Sequence, residues 1–92
     1  MKITVKAFAT FREVMDMKVE LEFPAGATIK TLLSELTARY MGLDALLFAA
    51  PGTLRDFVNI LKNGRNIHFI AGLDTPLDEG DMIALFPPAA GG

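Results

Sequence analysis

The chain has 92 residues, of which 51% are hydrophobic and 22% charged, with a formal net charge of -2 and no cysteine. This length and composition are typical of one small folded domain with a single modest core, and they exclude disorder as the default state. Without cysteine, the chain has no disulfide, no thiolate metal site and no cysteine nucleophile.

The first predicted elements are two strands, each with one buried face. Ile3, Val5 and Ala7 alternate with polar residues, and residues 18–23 repeat this alternation with Val, Leu and Phe. Pro24 closes the second strand. We expect the two strands to pair as a hairpin.

A helix is predicted next, because apolar residues recur with helical spacing. The stripe consists of Ile29, Leu32, Leu33, Leu36 and Tyr40. Thr28 is the expected N-cap and Gly42 the expected stop. Residues 43–57 show only a weak pattern, and we interpret them as irregular apart from a possible short helical turn.

The last third of the chain predicts three strands. Residues 57–62 predict a strand, and Asn63-Gly64 is the preferred pair for a tight type I′ turn into a strand over 66–69. Residues 82–86 are continuously apolar, which indicates a strand at the centre of the sheet. Pro87 and Pro88 end that strand because they lack backbone donors.

These elements predict an α+β fold in which one main helix packs on one face of a mixed sheet of four to five strands. The domain is expected to span residues 1–88, followed by a flexible tail over 89–92. No apolar run reaches the roughly 18 residues needed to cross a bilayer, and the alternating residues 1–8 do not form a signal-peptide core. We therefore expect a cytoplasmic protein that does not bind membranes.

Charge is distributed unevenly along the chain. Arg65 is the last basic residue, and the segment after it contains Asp74, Asp78, Glu79 and Asp81. Such a segment repels phosphate backbones, so nucleic acid is not an expected partner. The four acids either dock on a basic partner or simply solvate a loop, and charge alone favours neither interpretation.

The closing sequence FPPAAGG carries the only chemistry that the residues suggest. A terminal carboxylate is ionised near neutrality and can attack the α-phosphate of ATP, and Gly91-Gly92 is thin enough to enter a narrow channel. No phosphate-binding loop, dinucleotide motif or metal-ligand spacing is present, so we expect no bound cofactor or metal, and ATP handled by a partner. Extended, residues 89–92 reach up to roughly 14 Å.

Five segments together resemble the ubiquitin-like, β-grasp sulfur carriers of the MoaD and ThiS type. They are FAxFRE at 8–13, PAGATIKTLL at 24–33, NGRNI at 63–67, GLDTPLDEGD at 72–81 and the terminal FPPAAGG. The resemblance implies that Gly92 is adenylated by a ubiquitin-activating-type adenylyltransferase and converted to a thiocarboxylate by a sulfur-donating enzyme. The FPP segment is more similar to MoaD, which implies a non-catalytic role as the small subunit of molybdopterin synthase, paired with a MoaE-like large subunit.

The resemblance also implies a partner-binding face. Phe8, Ile70 and Phe86 match its apolar positions, with a place in the core as the alternative for all three. Arg12 is a candidate contact for the activating enzyme, with a solvated side chain as the alternative. Pro87 and Pro88 are expected to direct the tail.

Three functions remain open after the resemblance is taken into account. The first is the sulfur carrier, for molybdopterin or for thiamine thiazole or another thiolation pathway. The second is a ubiquitin-like modifier joined to lysines through Gly92, which shares the activation step. The third is an adaptor whose tail is never activated. His68 is assigned no role, because no second ligand lies near it in the sequence.

Overall fold

The computed structural model describes residues 1–88, and its architecture is the expected α+β β-grasp. The strands are β1 Lys2–Ala7, β2 Lys18–Glu22, β3 Phe48–Ala50, β4 Thr53–Leu54, β5 Asn59–Lys62, β6 Arg65–Asn66 and β7 Met82–Phe86. The helices are α1 Ile29–Arg39 and α2 Leu43–Leu47, with 3-10 turns at Ala9–Glu13, Ile67–Phe69 and Gly72–Asp74. The expected tail over 89–92 lies outside the described residues.

The main sheet has five strands in the order β2-β1-β7-β5-β6. β1 and β2 form the expected antiparallel hairpin, and β1 pairs with β7 in parallel. β7 also pairs antiparallel with β5, so the sheet is mixed and β7 lies at its centre. The expected central position is confirmed, but only Ile83 and Leu85 are buried, because Met82, Ala84 and Phe86 lie on the opposite, partly exposed face.

The core lies between one face of this sheet and α1. Alternate residues of β1 and β7 are fully buried, and so are the four apolar residues of the α1 stripe from 29 to 36. Thr28 precedes α1 in an extended conformation, and its backbone N–H donates to Thr31 Oγ1 at 3.2 Å. The prediction of Thr28 as the N-cap is therefore confirmed.

Three local expectations are wrong. α1 ends at Arg39, and Gly42 instead adopts a left-handed φ of 91° as the N-cap of α2. Residues 43–57 are more regular than expected: α2 provides a short helical turn, as the sequence allowed, but the antiparallel hairpin β3–β4 that follows it was not predicted. β6 has only two residues, since Asn66 Oδ1 accepts from the His68 backbone N–H and starts a 3-10 turn where a strand over 66–69 was expected.

A partly buried ionic cluster ties the loop before β7 to the β5–β6 hairpin. Lys62 Nζ lies 2.7 Å from Asp78 Oδ2 and 3.3 Å from Asp81 Oδ2. Asp81 is 5% exposed, and its two oxygens also accept from Asn63 Nδ2 and from the Asp78 backbone N–H, both at 2.8 Å. Asn63 and Gly64 have φ values of 50° and 87°, as the predicted type I′ turn requires. The cluster thus fixes this turn against β7.

Candidate functional site

The face of the sheet opposite α1 presents a partly exposed apolar strip. Residues paired across neighbouring strands point to the same face, and Met82, Ala84 and Phe86 alternate with the buried residues of β7. Leu61 is paired with Ala84 and is also only partly buried. We call this surface the open face. Its centre is apolar, whereas β1 and β2 contribute charged residues to its rim.

Phe8 and Phe86 stack on each other at the end of β7. Their ring centroids are 4.3 Å apart and the ring planes differ by 11°. Both side chains are half-buried, so neither is a core residue, which the sequence had left open. Because Phe86 directly precedes Pro87, this aromatic pair lies at the base of the tail.

Arg12 is held against the same aromatic pair. The 3-10 turn Ala9–Glu13 buries Phe11 completely, and this directs Arg12 back towards β1. Arg12 Nε donates to the Ala7 carbonyl oxygen at 2.8 Å, and the guanidinium carbon lies 5.3 Å from the Phe8 ring centroid. This distance is suitable for a cation–π interaction. Arg12 is therefore an exposed but fixed cation beside Phe8.

Ile70 lies apart from this aromatic pair. It follows the Ile67–Phe69 turn, next to the sheet edge at β6, and is 40% exposed. In the sheet order, β7 and β5 separate β1 from β6. The structure therefore brings Phe8, Phe86 and Arg12 together but places Ile70 near a different edge.

Sequence reasoning missed a second apolar surface beside Ile70. Phe57 and Phe69 are 71% and 69% exposed, and they line a groove of about 620 Å³. The sequence places Phe57 in a strand, but β5 begins only at Asn59. Phe57 instead has a φ of 69°, which is unusual for a bulky residue. No sequence signal separates this conformation from a strand start.

Pro87 is half-buried and Pro88 is exposed at the point where the described chain ends. Pro88 lines a depression of about 400 Å³ together with Leu54, Arg55 and Asp56. Gly91 and Gly92, to which the sequence assigns the reaction, lie outside the described residues. The direction that the prolines give to the tail stays a prediction.

Three of the four acids after Arg65 bind groups within the domain. Asp78 and Asp81 bind Lys62, and Glu79 Oε2 accepts from the Lys2 backbone N–H at 2.7 Å. Only Asp74 makes no side-chain hydrogen bond or ion pair within residues 1–88. A structural role therefore accounts for most of the acidic segment.

His68 is exposed, and its ring meets the edge of Phe69 at a centroid distance of 5.2 Å. Within residues 1–88, no three His, Asp or Glu side chains gather in a way that suits a metal ion. In the same part of the chain, no helix has both the length and the apolar composition needed to cross a membrane.

Comparisons with known proteins agree with this geometry. The family model described as the ThiS family matches residues 5–92. Small archaeal modifier protein 3 of Haloferax volcanii is 41% identical over the full length of both chains. The sulfur carrier protein CysO of Mycobacterium tuberculosis is 37% identical over 70 residues, which cover 74% of this chain and 75% of CysO.

Two solved structures are similar along nearly all of the chain. The crystal structure of small archaeal modifier protein 1 of Haloferax volcanii has a TM-score of 0.87 and 32% identity, and all of both chains is covered. A Pyrococcus furiosus protein described as a candidate molybdopterin converting factor, subunit 1, has a TM-score of 0.76 and 32% identity, with coverage of 96% and 98%. The chain therefore belongs to the ThiS family of ubiquitin-like, β-grasp sulfur carriers.

Proposed function

We propose that this protein is a ubiquitin-like modifier of the small archaeal type, joined to lysine side chains through the carboxyl group of Gly92. The observation that carries the proposal is the 41% identity over the full length to small archaeal modifier protein 3. It favours the modifier over the molybdopterin synthase subunit that the FPP segment suggests. The two roles share their first step, so the residues that serve activation serve both.

Activation begins when the Gly92 carboxylate attacks the α-phosphorus of ATP. An acyl–phosphate bond forms, pyrophosphate leaves, and the product is the acyl-adenylate of Gly92. A lysine amine then attacks the acyl carbon, AMP leaves, and an isopeptide bond and one proton result. Because the chain contains no cysteine, any thioester on the way is formed on a cysteine of the partner.

The activating enzyme is proposed to dock on the open face beside the tail. Phe8 and Phe86 offer a preformed aromatic surface, and Arg12 is already positioned over Phe8. Side chains that are fixed before binding lose little conformational entropy when the complex forms. Pro87 and Pro88 have fixed φ angles, which lowers the entropic cost of directing the tail into the enzyme. Ile70 lies near a different edge of the sheet, so it would contact either another part of the same partner or a second partner.

Sulfur donation is the second candidate function. Its support is the similarity to CysO and to the Pyrococcus furiosus protein described above. In this route a sulfur nucleophile replaces AMP on the acyl-adenylate, so that Gly92 carries a thiocarboxylate. The acceptor would be the molybdopterin precursor on a MoaE-like large subunit, or the substrate of another thiolation pathway.

The decisive experiment is to purify the tagged full chain from the native cytoplasm and to determine its covalent state by mass spectrometry. High-mass conjugates with isopeptide links at Gly92 are expected for the modifier. Replacement of one oxygen by sulfur at the terminus, without conjugates, would assign the sulfur carrier instead. If neither product forms in cells, the proposal of tail activation is wrong.

The digestion protocol must suit this chain. Trypsin cuts last after Arg65 and would leave residues 66–92 on each target lysine. Cleavage after glutamate is preferable, because Glu79 is the last one and the remnant then begins at Gly80. Deletion of Gly91-Gly92 should abolish both products. The matched control changes Ala89 and Ala90 to serine, which keeps the length and the terminal glycines and should preserve conjugation.

A further inference from the structure

A basic cavity lies beside Phe8, on the rim of the open face nearest Phe86. It has a volume of about 270 Å³ and is lined by Lys6, Ala7, Phe8, Arg12, Met17 and Lys18. Three of these six residues are cations and none is acidic. We call it the basic cavity.

Two of the cations face each other across the β1–β2 hairpin. Lys6 is the direct cross-strand partner of Lys18. Like charges directly opposite each other in an antiparallel pair destabilise the sheet. The other end of the same hairpin is compensated, because Lys2 is opposite Glu22 and forms an ion pair with Glu20 at 3.6 Å. The sheet thus carries an unfavourable pair at the end next to Phe8.

Within residues 1–88, none of the three cations is neutralised. The ion pairs of this part of the chain involve Lys2, Arg39 and Lys62. Arg12 Nε donates to the Ala7 carbonyl oxygen, whereas the two terminal nitrogens of its guanidinium make no hydrogen bond or ion pair within residues 1–88. Met17 is 60% exposed and adds an apolar wall beside the Phe8 ring. The cavity therefore suits a ligand with clustered carboxylates and a short apolar part.

We propose that the basic cavity binds an acidic segment of the activating adenylyltransferase, in which carboxylates meet Lys6, Arg12 and Lys18 while an apolar side chain contacts Met17 and Phe8. This inference rests on the proposed activation of Gly92 and names the docking chemistry that precedes it. Phe8 connects the two places, because its ring lines the cavity and also stacks on Phe86 at the base of the tail. An enzyme held at the cavity is thereby held next to the tail.

The test measures ATP–pyrophosphate exchange by the adenylyltransferase that activates this protein, with the full chain as its substrate. In Lys18→Glu, the unfavourable contact with Lys6 becomes an attractive one, so the melting temperature should stay equal or rise. The KM for the chain should nevertheless increase about five-fold or more at low salt, since one attraction is lost and one repulsion is added. The increase should shrink at 0.5 M salt, where the Debye length falls to a few ångströms.

The matched control is Lys30→Glu on α1, which makes the same charge change at an exposed site away from the open face. Its KM should stay within two-fold of the wild type. If both variants raise KM equally, or if Lys18→Glu leaves it unchanged, the basic cavity is not the docking site. If the wild type itself supports no exchange, the proposed function fails instead, so the two failures are distinguishable.

A photo-crosslink locates the segment directly. Met17 is replaced by p-benzoylphenylalanine in the full chain, and the crosslinked peptide of the enzyme is sequenced. We expect a surface peptide with several Asp and Glu residues. Crosslinks to a peptide without acidic residues would overturn the proposal.

Discussion

Replacement of Asp81 by asparagine should strongly destabilise the domain, because this carboxylate is the buried centre of the ionic cluster. It is 5% exposed and contacts Lys62 Nζ, Asn63 Nδ2 and the Asp78 backbone N–H. An amide keeps one acceptor, so the bond from Asn63 survives in a neutral form. Its NH₂ group, however, meets two donors, and Lys62 keeps only the exposed Asp78 as a counter-charge.

The magnitude follows from these contacts. A hydrogen bond to a charged group contributes about 1.5 to 3 kcal/mol, and two such contacts are lost, so the free energy of unfolding should fall by about 3 kcal/mol or more. For a domain of this size, that corresponds to a decrease in melting temperature of at least about 12 °C. Circular dichroism measures it. The control Asp74→Asn changes an exposed acid and should alter stability by less than about 0.5 kcal/mol. A decrease below about 4 °C for Asp81→Asn would refute the structural role of the cluster.

Two further predictions concern charge and aromatic packing. The hydrogen bond to Asp78, followed by that to Asp81, raises the pKa of Lys62 above its ordinary 10.5, although burial acts in the opposite direction. The stabilisation by Lys62 should therefore be complete below pH 10.5 and disappear as the pH rises through the higher folded-state pKa. Urea unfolding measures this: the difference in free energy of unfolding between wild type and Lys62→Met should be equal at pH 7 and 9 and smaller above pH 10.5. For the Phe8–Phe86 stack, a double-mutant cycle of Phe8→Ala and Phe86→Ala should give a coupling energy of about 0.5 to 1.5 kcal/mol in urea unfolding, and additivity within about 0.3 kcal/mol would contradict the stack.

The longer regular elements of the fold can be predicted from periodicity in the sequence. Alternation over residues 2–7 and the helical stripe in α1 each reflect a buried face several residues long, and the structure has both elements. The apolar run at 82–86 also predicts a central strand, and β7 has that position, although only Ile83 and Leu85 are buried. The predictions of β1 and α1 succeed because local pattern and burial agree.

The missed elements are too short to show a period. β3 and β4 have three and two residues, so their sequences contain no measurable alternation. The end of β6 depends on one side-chain acceptor, Asn66 Oδ1, which competes with the sheet. The ionic cluster joins Lys62 to acids 16 and 19 positions later, and only the folded chain reveals that pairing. Similarly, the sequence alone does not show that Lys6 is opposite Lys18, because this pairing depends on the register of the β1–β2 hairpin.

The parallel pairing of β1 with β7 has a consequence for synthesis of the protein. Residues 4–7 form their ladder with residues 82–85, almost the greatest sequence separation that the described chain allows. Contacts of such long range form late and slow the folding of a domain. The ribosome must therefore release residues up to Phe86 before the middle of the sheet closes. A product that stops before Met82 lacks the central strand and leaves the facing edges of β1 and β5 without backbone partners, so such a product cannot complete the sheet.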